Sequence, residues 1–495
     1  MEECILSVDQ STQGTKALLF GREGELLVRR DIPHRQHVDK QGWVEHDPEE
    51  IYANVLEVAG NVVRESGIDA AGIRAVGLTN QRETALAWDR ETGRPIYNAI
   101  VWQCARGEAI CAELMEQGYA EQARAVTGLT LSPYFSASKL AWLMRNVPEA
   151  KRLAGEGRLC IGTIDTWLVF RLTGGREFRT DFSNAARTQL FNIHTLEWDA
   201  HACEVFGIPM EALPELTASD GDFGSTDFGG QLPERVPIRA VMGDSNAALF
   251  GQGCTEPGMV KATYGTGSSV MMNTGSKLVE SKKLATSIAW GNRENITYVL
   301  EGNINYSGAV ITWLKDDMLM IGSPQETDQL ARTANPADTT YLVPAFSGLG
   351  APYWDPEAHA VACGMSRTTG RAEFVKAALE SIAYQVADVV TAMQQDSSLG
   401  IEELRTDGGA TGNEYLMQFQ SDIIGRRVAI SATAELSALG AAHMAGEAIG
   451  LYDRMMLAAA SNKRTLEPQM SAAERDMKYS GWHQAVRRTL WTPPK

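Results

Sequence analysis

Asp9, Gln10, Ser11, Thr12, Gln13, Gly14 and Lys16 form a short run whose side chains could do chemistry. A carboxylate at the end of an apolar stretch can hold Mg²⁺, an ion that takes few protein ligands and keeps its waters. Amides and hydroxyls of a small polar turn can cradle phosphate oxygens, and a lysine beyond the turn can neutralise them. Ile5 to Val8 and Ala17 to Phe20 read as strands, so the run is the turn of a hairpin, with Gly14 free to take an unusual backbone angle. An ordinary exposed turn has the same composition, because Asp and Gly are common there.

Four more polar turns follow the same logic. Asn80-Gln81-Arg82-Glu83-Thr84 closes an apolar strand, Ile73 to Thr79, at the carboxyl end where open α/β sheets place ligand groups. Asp244 lies between a strand, Pro237 to Gly243, and a helix start, a place for a helix cap or for a catalytic carboxylate. Met259 to Asn273 repeats the pattern of strand, small polar turn (Gly265, Thr266) and strand, similar to the first hairpin in layout rather than in letters. Thr406 to Asn413 ends another strand and opens a helix, Glu414 to Ile424, with glycines that let backbone approach a nucleotide. The restart near residue 259 implies a duplicated module, with domains 1–251 and 252–495.

The elements that must position these turns are legible in part. Asp47 as N-cap, Pro48 at the first helical position and Glu50 at capping-box spacing begin a helix that buries Ile51, Val55, Val58, Ala59, Val62 and Val63. Tyr134 to Leu143 leads into a helix, and residues 372–394 and 437–449 have small apolar faces suited to packing on a sheet. Ala218 to Gly230 reads as a surface connection, and residues 465–495, with Pro468, Pro493 and Pro494, as a polar capping tail.

At 495 residues the chain exceeds one compact core, and two lobes of about 250 residues fit that limit. A formal charge of −17 disfavours nucleic acid and anionic membranes as partners. Seven scattered cysteines without a Cys-x-x-Cys indicate neither a zinc site nor a disulfide framework. The acidic start Met1-Glu2-Glu3-Cys4 lacks the cations of a signal peptide, and no apolar run reaches about 18 residues, so a cytoplasmic protein without membrane insertion is expected. No Gly-x-x-x-x-Gly-Lys-Ser/Thr occurs, nor a Gly-x-Gly-x-x-Gly after a first strand, which removes P-loop and dinucleotide sites. Paired phosphate-binding hairpins in two lobes point instead to an α/β protein of two ribonuclease-H-like, actin-like ATPase domains, with ATP in the cleft between them.

The whole run of motifs resembles the FGGY carbohydrate kinases, and nearest among them the branch that phosphorylates glycerol. The carriers are Val8 to Thr12, Gly42 to Pro48, Thr79 to Thr84, Asn98 to Cys104, Tyr134 to Asn146, Asp165 to Leu168, Leu190 to Leu196, Gly243-Asp244, Tyr264 to Gly267, Gly348 to Pro356, Asp407 to Gly409 and Leu416 to Asp422. The resemblance implies that Asp9, with Asp244 nearby, holds Mg²⁺. Ser11, Thr12, Gln13, Lys16 and Thr266 would face the phosphates, and Gly308, Thr312, Gly409, Ala410 and Asn413 the base and ribose. It also makes Asp244 the general base for the attacking hydroxyl, a role that typically adds about 10²–10⁴-fold. Arg82, Glu83, Trp102, Tyr134, Asp244, Ser245 and Ser269 would form the acceptor pocket. Hydroxyls need donors and acceptors, and aromatic walls cover a carbon chain. The plain alternatives are core packing for Trp102 and Tyr134 and a structural ion pair for Arg82 with Glu83.

Three positions depart from the family's usual pattern: Ser245 replaces a Gln, Ser269 a Phe over the acceptor carbons, and Thr312 a Gln on the nucleotide side. Losing the aromatic cover costs a small triol on the order of 1–3 kcal/mol of binding. The expected acceptor is therefore glycerol or, in second place, a larger polyol or ketose such as erythritol, xylulose or ribulose. An actin-like ATPase scaffold is the alternative outside catalysis. A homodimer or homotetramer is implied by the resemblance alone.

Overall fold

The computed structural model describes residues 3–292, 295–454, 456 and 463–490. β1 (Cys4–Gln10) and β2 (Gly14–Phe20) form the expected antiparallel hairpin, with Asp9 opposite Lys16 across the ladder. β3 (Leu26–Pro33) continues it. β4 (Ile73–Asn80) runs parallel to β1 on the other side, and β5 (Val236–Gly243) parallel to β4. All seven residues of β1 are buried, so its polar Ser7, Asp9 and Gln10 sit inside the molecule. Gly14 is needed for a different reason from the expected one. Its φ is not positive; a Cβ there would lie 2.7 Å from the Ile32 carbonyl oxygen on β3.

The second half repeats this order. β6 (Val260–Tyr264) and β7 (Ser268–Gly275) form a hairpin, β8 (Ile296–Ile304) pairs antiparallel with β7, and β9 (Glu403–Asp407) and β10 (Arg427–Ser431) add in parallel beside β6. Each sheet thus has its hairpin in the middle and its polar turn at the same end of the central strand. A further five-stranded sheet, built from short strands between residues 36 and 163, is inserted in the first half and carries the loop after β4.

α1 (Pro48–Ser66) is capped by Asp47, whose side chain accepts from the Glu49 amide, and it buries the expected face apart from a partly exposed Val63. Glu50 does not close a capping box; its carboxylate accepts from the Arg35 amide 3.1 Å away. α2 (Ser136–Asn146) follows the Tyr134 segment. α3 (Asp244–Gly251) leaves β5, α4 (Arg371–Ser397) fills the second core, α5 (Glu414–Ile424) follows β9, and α6 (Leu436–Ala448) follows β10. α7 (Ala472–Thr489) packs Trp482, Ala485 and Val486 onto the second half, while residues 491–495 of the expected tail lie outside the described residues. Residues 218–230 are not the surface connection expected. Phe223 and Phe228 are fully buried in the first core, and Ser225–Thr226 adds an edge strand to β5. All seven cysteines are free, and among the described residues no helix is long and apolar enough to cross a membrane.

The halves are joined by an exchange of helices. α6, which follows the second sheet, packs on β1, β4 and β5 of the first, and the Ser7 hydroxyl donates to the Ala438 carbonyl at 2.8 Å. α3, which follows the first sheet, reaches the second: Asn246 Nδ2 donates to the carbonyls of Ile288 and Ala289 at 2.9 Å, and Phe250 meets Trp290 at 5.2 Å. One apolar cluster therefore contains Ile5, Ala75 and Ala240 from one side and Met271, Ala289 and Val299 from the other. Where α3 and α6 cross, glycines permit backbone contact. A Cβ on Gly440 would lie 1.9 Å from the Ala247 carbonyl oxygen, and one on Gly251 2.3 Å from that of Leu436. Gly440→Ala must therefore push the helices apart. It is expected to cost about 1–3 kcal/mol, read as a lower denaturation midpoint; a variant that melts with the parent would mean the crossing is looser than described.

Candidate active site

The end of β1 places Asp9 against β2 and β4 with only 6% exposure. One of its carboxylate oxygens, Oδ1, is buried without a hydrogen-bond partner. Burial pushes its pKa up to about 7; Asp244 and Glu435 add to the rise, and Lys16 and Arg29 oppose it. A buried carboxylate short of a partner suits a cation. No cluster of three or more metal-ligating side chains exists among the described residues, which fits an ion that draws most of its ligands from phosphate and water. The turn beyond is closed by the Ser11 amide and hydroxyl on the Gly14 carbonyl, at 2.9 and 3.0 Å, and Gln13 is exposed at its tip. Lys16 Nζ lies 2.9 Å from Glu435 at the start of α6, and Arg29 shares the same carboxylate at 3.1 Å. The first hairpin is thus tied electrostatically to the other half through a residue that sequence reading missed.

Asp244 is not a helix cap. Gly243 takes the cap position, and Asp244 is the first residue of α3, its Oδ1 accepting from the Ser245 amide at 2.6 Å. About a third of its side chain is exposed (34%). It therefore reaches solvent while Gly243, Asn246 and Arg82 are buried. Arg82 Nε lies 3.5 Å from it, with the Arg82 side chain 3% exposed.

Arg82 and Glu83 do not pair with each other. Arg82 makes a two-pronged contact with Glu301 of β8, at 2.7 and 3.0 Å, and donates to Asn246 at 3.1 Å. Glu83, held at a positive φ of 62°, accepts from Arg187 Nε at 2.6 Å. Arg187 in turn reaches Glu301 at 2.9 Å. Two arginines and two glutamates alternate in a buried chain, and Ser269 Oγ donates to Glu301 at 3.2 Å. Burial alone would raise the Glu301 pKa, but Arg187 and Arg82 outweigh it and hold it near about 2. Glu83, with one arginine in contact, is pushed upward by burial. A glutamate inside the apolar run Val299-Leu300-Glu301 was the signal available in the sequence for this missed residue.

Trp102 joins the first hairpin turn to the Tyr134 segment: its indole N–H donates to the Thr12 hydroxyl at 3.0 Å, and its ring lies 5.4 Å from that of Tyr134. On the other half, the Thr266 carbonyl accepts from the amides of Ser307 and Ala309, both at 3.0 Å, which brings Thr266 beside Gly308. Thr312 is exposed on the helix Gly308–Asp316, its hydroxyl 3.5 Å from the Gly308 carbonyl. Gly408 has a φ of 96°, and a Cβ there would lie 2.3 Å from the Tyr264 carbonyl oxygen, so the Gly409-Ala410 turn sits against the end of β6. Asn413 is engaged at both ends of its amide: its Oδ1 caps α5 on the Leu416 amide, and its Nδ2 donates to Thr327, both at 2.9 Å. The expected residues thus form two groups joined by local contacts, one around Asp9, Arg82, Trp102 and Asp244 in the first half and one around Thr266, Gly308 and Gly408 in the second, with Asn413 acting as the bracket of its turn.

Glu301 is the one carboxylate that both arginines share. Glu301→Gln leaves two buried guanidiniums with one charge fewer between them. The expected loss is about 3–5 kcal/mol of stability, measured by chemical denaturation; a loss below about 1 kcal/mol would show that water reaches the network.

The family model described as the FGGY family of carbohydrate kinases, N-terminal domain, matches residues 4–251, and the corresponding C-terminal domain model matches residues 260–449. The chain is 46% identical over 489 residues to glycerol kinase 1 of Thermotoga maritima, covering 98% of this chain and 99% of that one. It is 45% identical to a glycerol kinase of Pseudomonas fluorescens, covering 99% and 97%. Among solved structures, the glycerol kinase of Plasmodium falciparum with ADP superposes with a TM-score of 0.93 at 36% identity, over 99% of both chains. A xylulose kinase of Lactobacillus acidophilus has the same fold, with a TM-score of 0.87 at 20% identity. The two-domain, actin-like α/β architecture, the two matching domain models and the full-length similarity lead to one conclusion: this chain belongs to the FGGY family of carbohydrate kinases.

Proposed function

We propose that the protein is an ATP-dependent kinase that transfers a phosphoryl group to a terminal hydroxyl of glycerol. The observation that carries this reading is the Asp244 carboxylate. It is open to solvent, beside a buried guanidinium, at the junction of β5 and α3, and close enough to Asp9 for its charge to raise that group's pKa. The names of the full-length relatives and the ADP in the Plasmodium structure support the same assignment.

In this reading the division of labour follows the two halves. Residues 1–251 supply the acceptor pocket and the first phosphate turn, and residues 252–495 the nucleotide side. Asp244 takes the proton from the attacking hydroxyl, with the Arg82 guanidinium 3.5 Å from its carboxylate. Thr12, Gln13, Lys16 and Thr266 face the phosphates, so that transfer depends on alignment and fixed charge. Gly308, Thr312, Gly409 and Ala410 border the base and ribose. Asp9 would hold Mg²⁺, whose charge offsets that of the phosphates when bound. Trp102 and Tyr134 cover the carbon chain, with Glu83 and Arg82 as acceptor and donor for its hydroxyls. Cytoplasmic location and assembly as a dimer or tetramer belong to the same reading and rest on family resemblance.

One observation favours a second acceptor class. Ser269 turns its hydroxyl to Glu301, so this position puts a polar group where an aromatic cover would exclude a longer chain. Two measurements test the reading. Asp244→Asn is expected to retain nucleotide binding and to lower kcat by at least about 10²-fold; near-normal turnover would end the general-base assignment. In a coupled ADP-release assay over glycerol, dihydroxyacetone, erythritol, xylulose and ribulose, glycerol is expected to give the highest kcat/KM. Saturation by a four- or five-carbon compound with glycerol active only at very high concentration would move the assignment to the larger substrate. ATP hydrolysis that no acceptor stimulates would favour a scaffold ATPase.

A further inference from the structure

Lys139 lies in the first turns of α2 and is fully buried. Its ammonium makes no ion pair among the described residues. Instead its three protons are met by three consecutive backbone carbonyls, those of Pro133 and Tyr134 at 2.6 Å and of Phe135 at 3.0 Å. Burying a cation is costly unless every proton is bonded, and a lysine is the side chain that offers three donors from one point. The segment so gripped is the one that bears Tyr134. Its ring stands 5.4 Å from Trp102 and 5.2 Å from Phe135, with the Arg187 guanidinium 6.0 Å from its centre. The next residue, Ser136, donates to the Glu83 carbonyl at 3.1 Å, which ties the same segment to the loop after β4.

Three successive carbonyls directed at one atom orient the three peptide planes that carry them. The direction in which the Tyr134 side chain leaves the backbone is then set as well. The neighbouring helix start lacks a side-chain cap; the Tyr134 and Phe135 amides bond to the Ser132 hydroxyl and carbonyl at 3.2 and 3.3 Å, and Lys139 holds the carbonyl side of the same segment. We propose that Lys139 is a positioning residue for the acceptor pocket, acting through the Pro133–Phe135 carbonyls to hold Tyr134 against Trp102, and that it sets acceptor affinity without taking part in nucleotide binding. This rests on the reading of Tyr134 as an acceptor wall.

The test compares Lys139→Met, Lys139→Arg, Tyr134→Ala and the double variant Lys139→Met/Tyr134→Ala by KM for glycerol, KM for ATP, kcat and thermal midpoint. Methionine keeps the length and removes the donors. Lys139→Met is expected to raise the glycerol KM about tenfold and to leave the ATP KM within about twofold. Added to Tyr134→Ala it is expected to raise the glycerol KM by less than about twofold more, since both changes act on one wall. Equal shifts in both KM values, or a full additional rise in the double variant, would reduce Lys139 to a general stabiliser and overturn the proposal. If Lys139→Met does not fold, Lys139→Arg decides. A planar fork cannot meet three carbonyls at one point, so an unchanged glycerol KM in that variant overturns the proposal too. If Tyr134→Ala leaves the glycerol KM unchanged, the wall reading fails and takes the proposal with it. If Tyr134→Ala responds and Lys139→Met does not, the proposal fails alone.

Discussion

The molecule depends on a chain of four buried charges: Glu83, Arg187, Glu301 and Arg82. Their signs alternate and their sum is zero, which is what permits them to leave water together. Three belong to the first half and one, Glu301, to the second, so the chain is also a joint between sheets. Arg82 also lies 3.5 Å from Asp244, so that carboxylate is the exposed neighbour of a network that is not exposed.

The apolar counterpart of that joint is the crossing of α3 and α6. Each helix packs against the sheet of the other half, and both carry glycine at the contact, so the backbones touch. This arrangement links the two hairpins. The turn of one lies at the end of β1, under α6. The turn of the other lies at the end of β6, in the sheet that α3 reaches. The Lys16–Glu435 pair closes the same circuit at the surface. A duplicated hairpin becomes one site only because the helices exchange partners.

Much of the fold was legible because local rules set it. The α1 cap, the two hairpins and the helix beginning at Asp244 all follow from turn chemistry and apolar spacing. Where reading by spacing went astray, a long-range partner had taken over. Glu50 stands at capping-box distance, yet its carboxylate serves Arg35 on another segment. Gly14 looks like a turn glycine, yet what it avoids is the β3 backbone. Residues 218–230 look like a polar loop, yet two phenylalanines at positions 223 and 228 anchor them in the core.

The sequence by itself determined which chemistry is present: a carboxylate, a hydroxyl-rich turn and a cation at the head, a second such turn in the other half, and Asp244 between a strand and a helix. These are properties of residue type and near spacing, and they survive without coordinates. Only the tertiary structure decided which charges neutralise which. Arg82 and Glu83 are adjacent in the chain and read as a pair, but each turned to a partner more than a hundred residues away. A buried charge goes to whichever counter-charge can desolvate with it. That choice is made in three dimensions. It is why Glu301 and Arg187 meet only when the two halves are folded together.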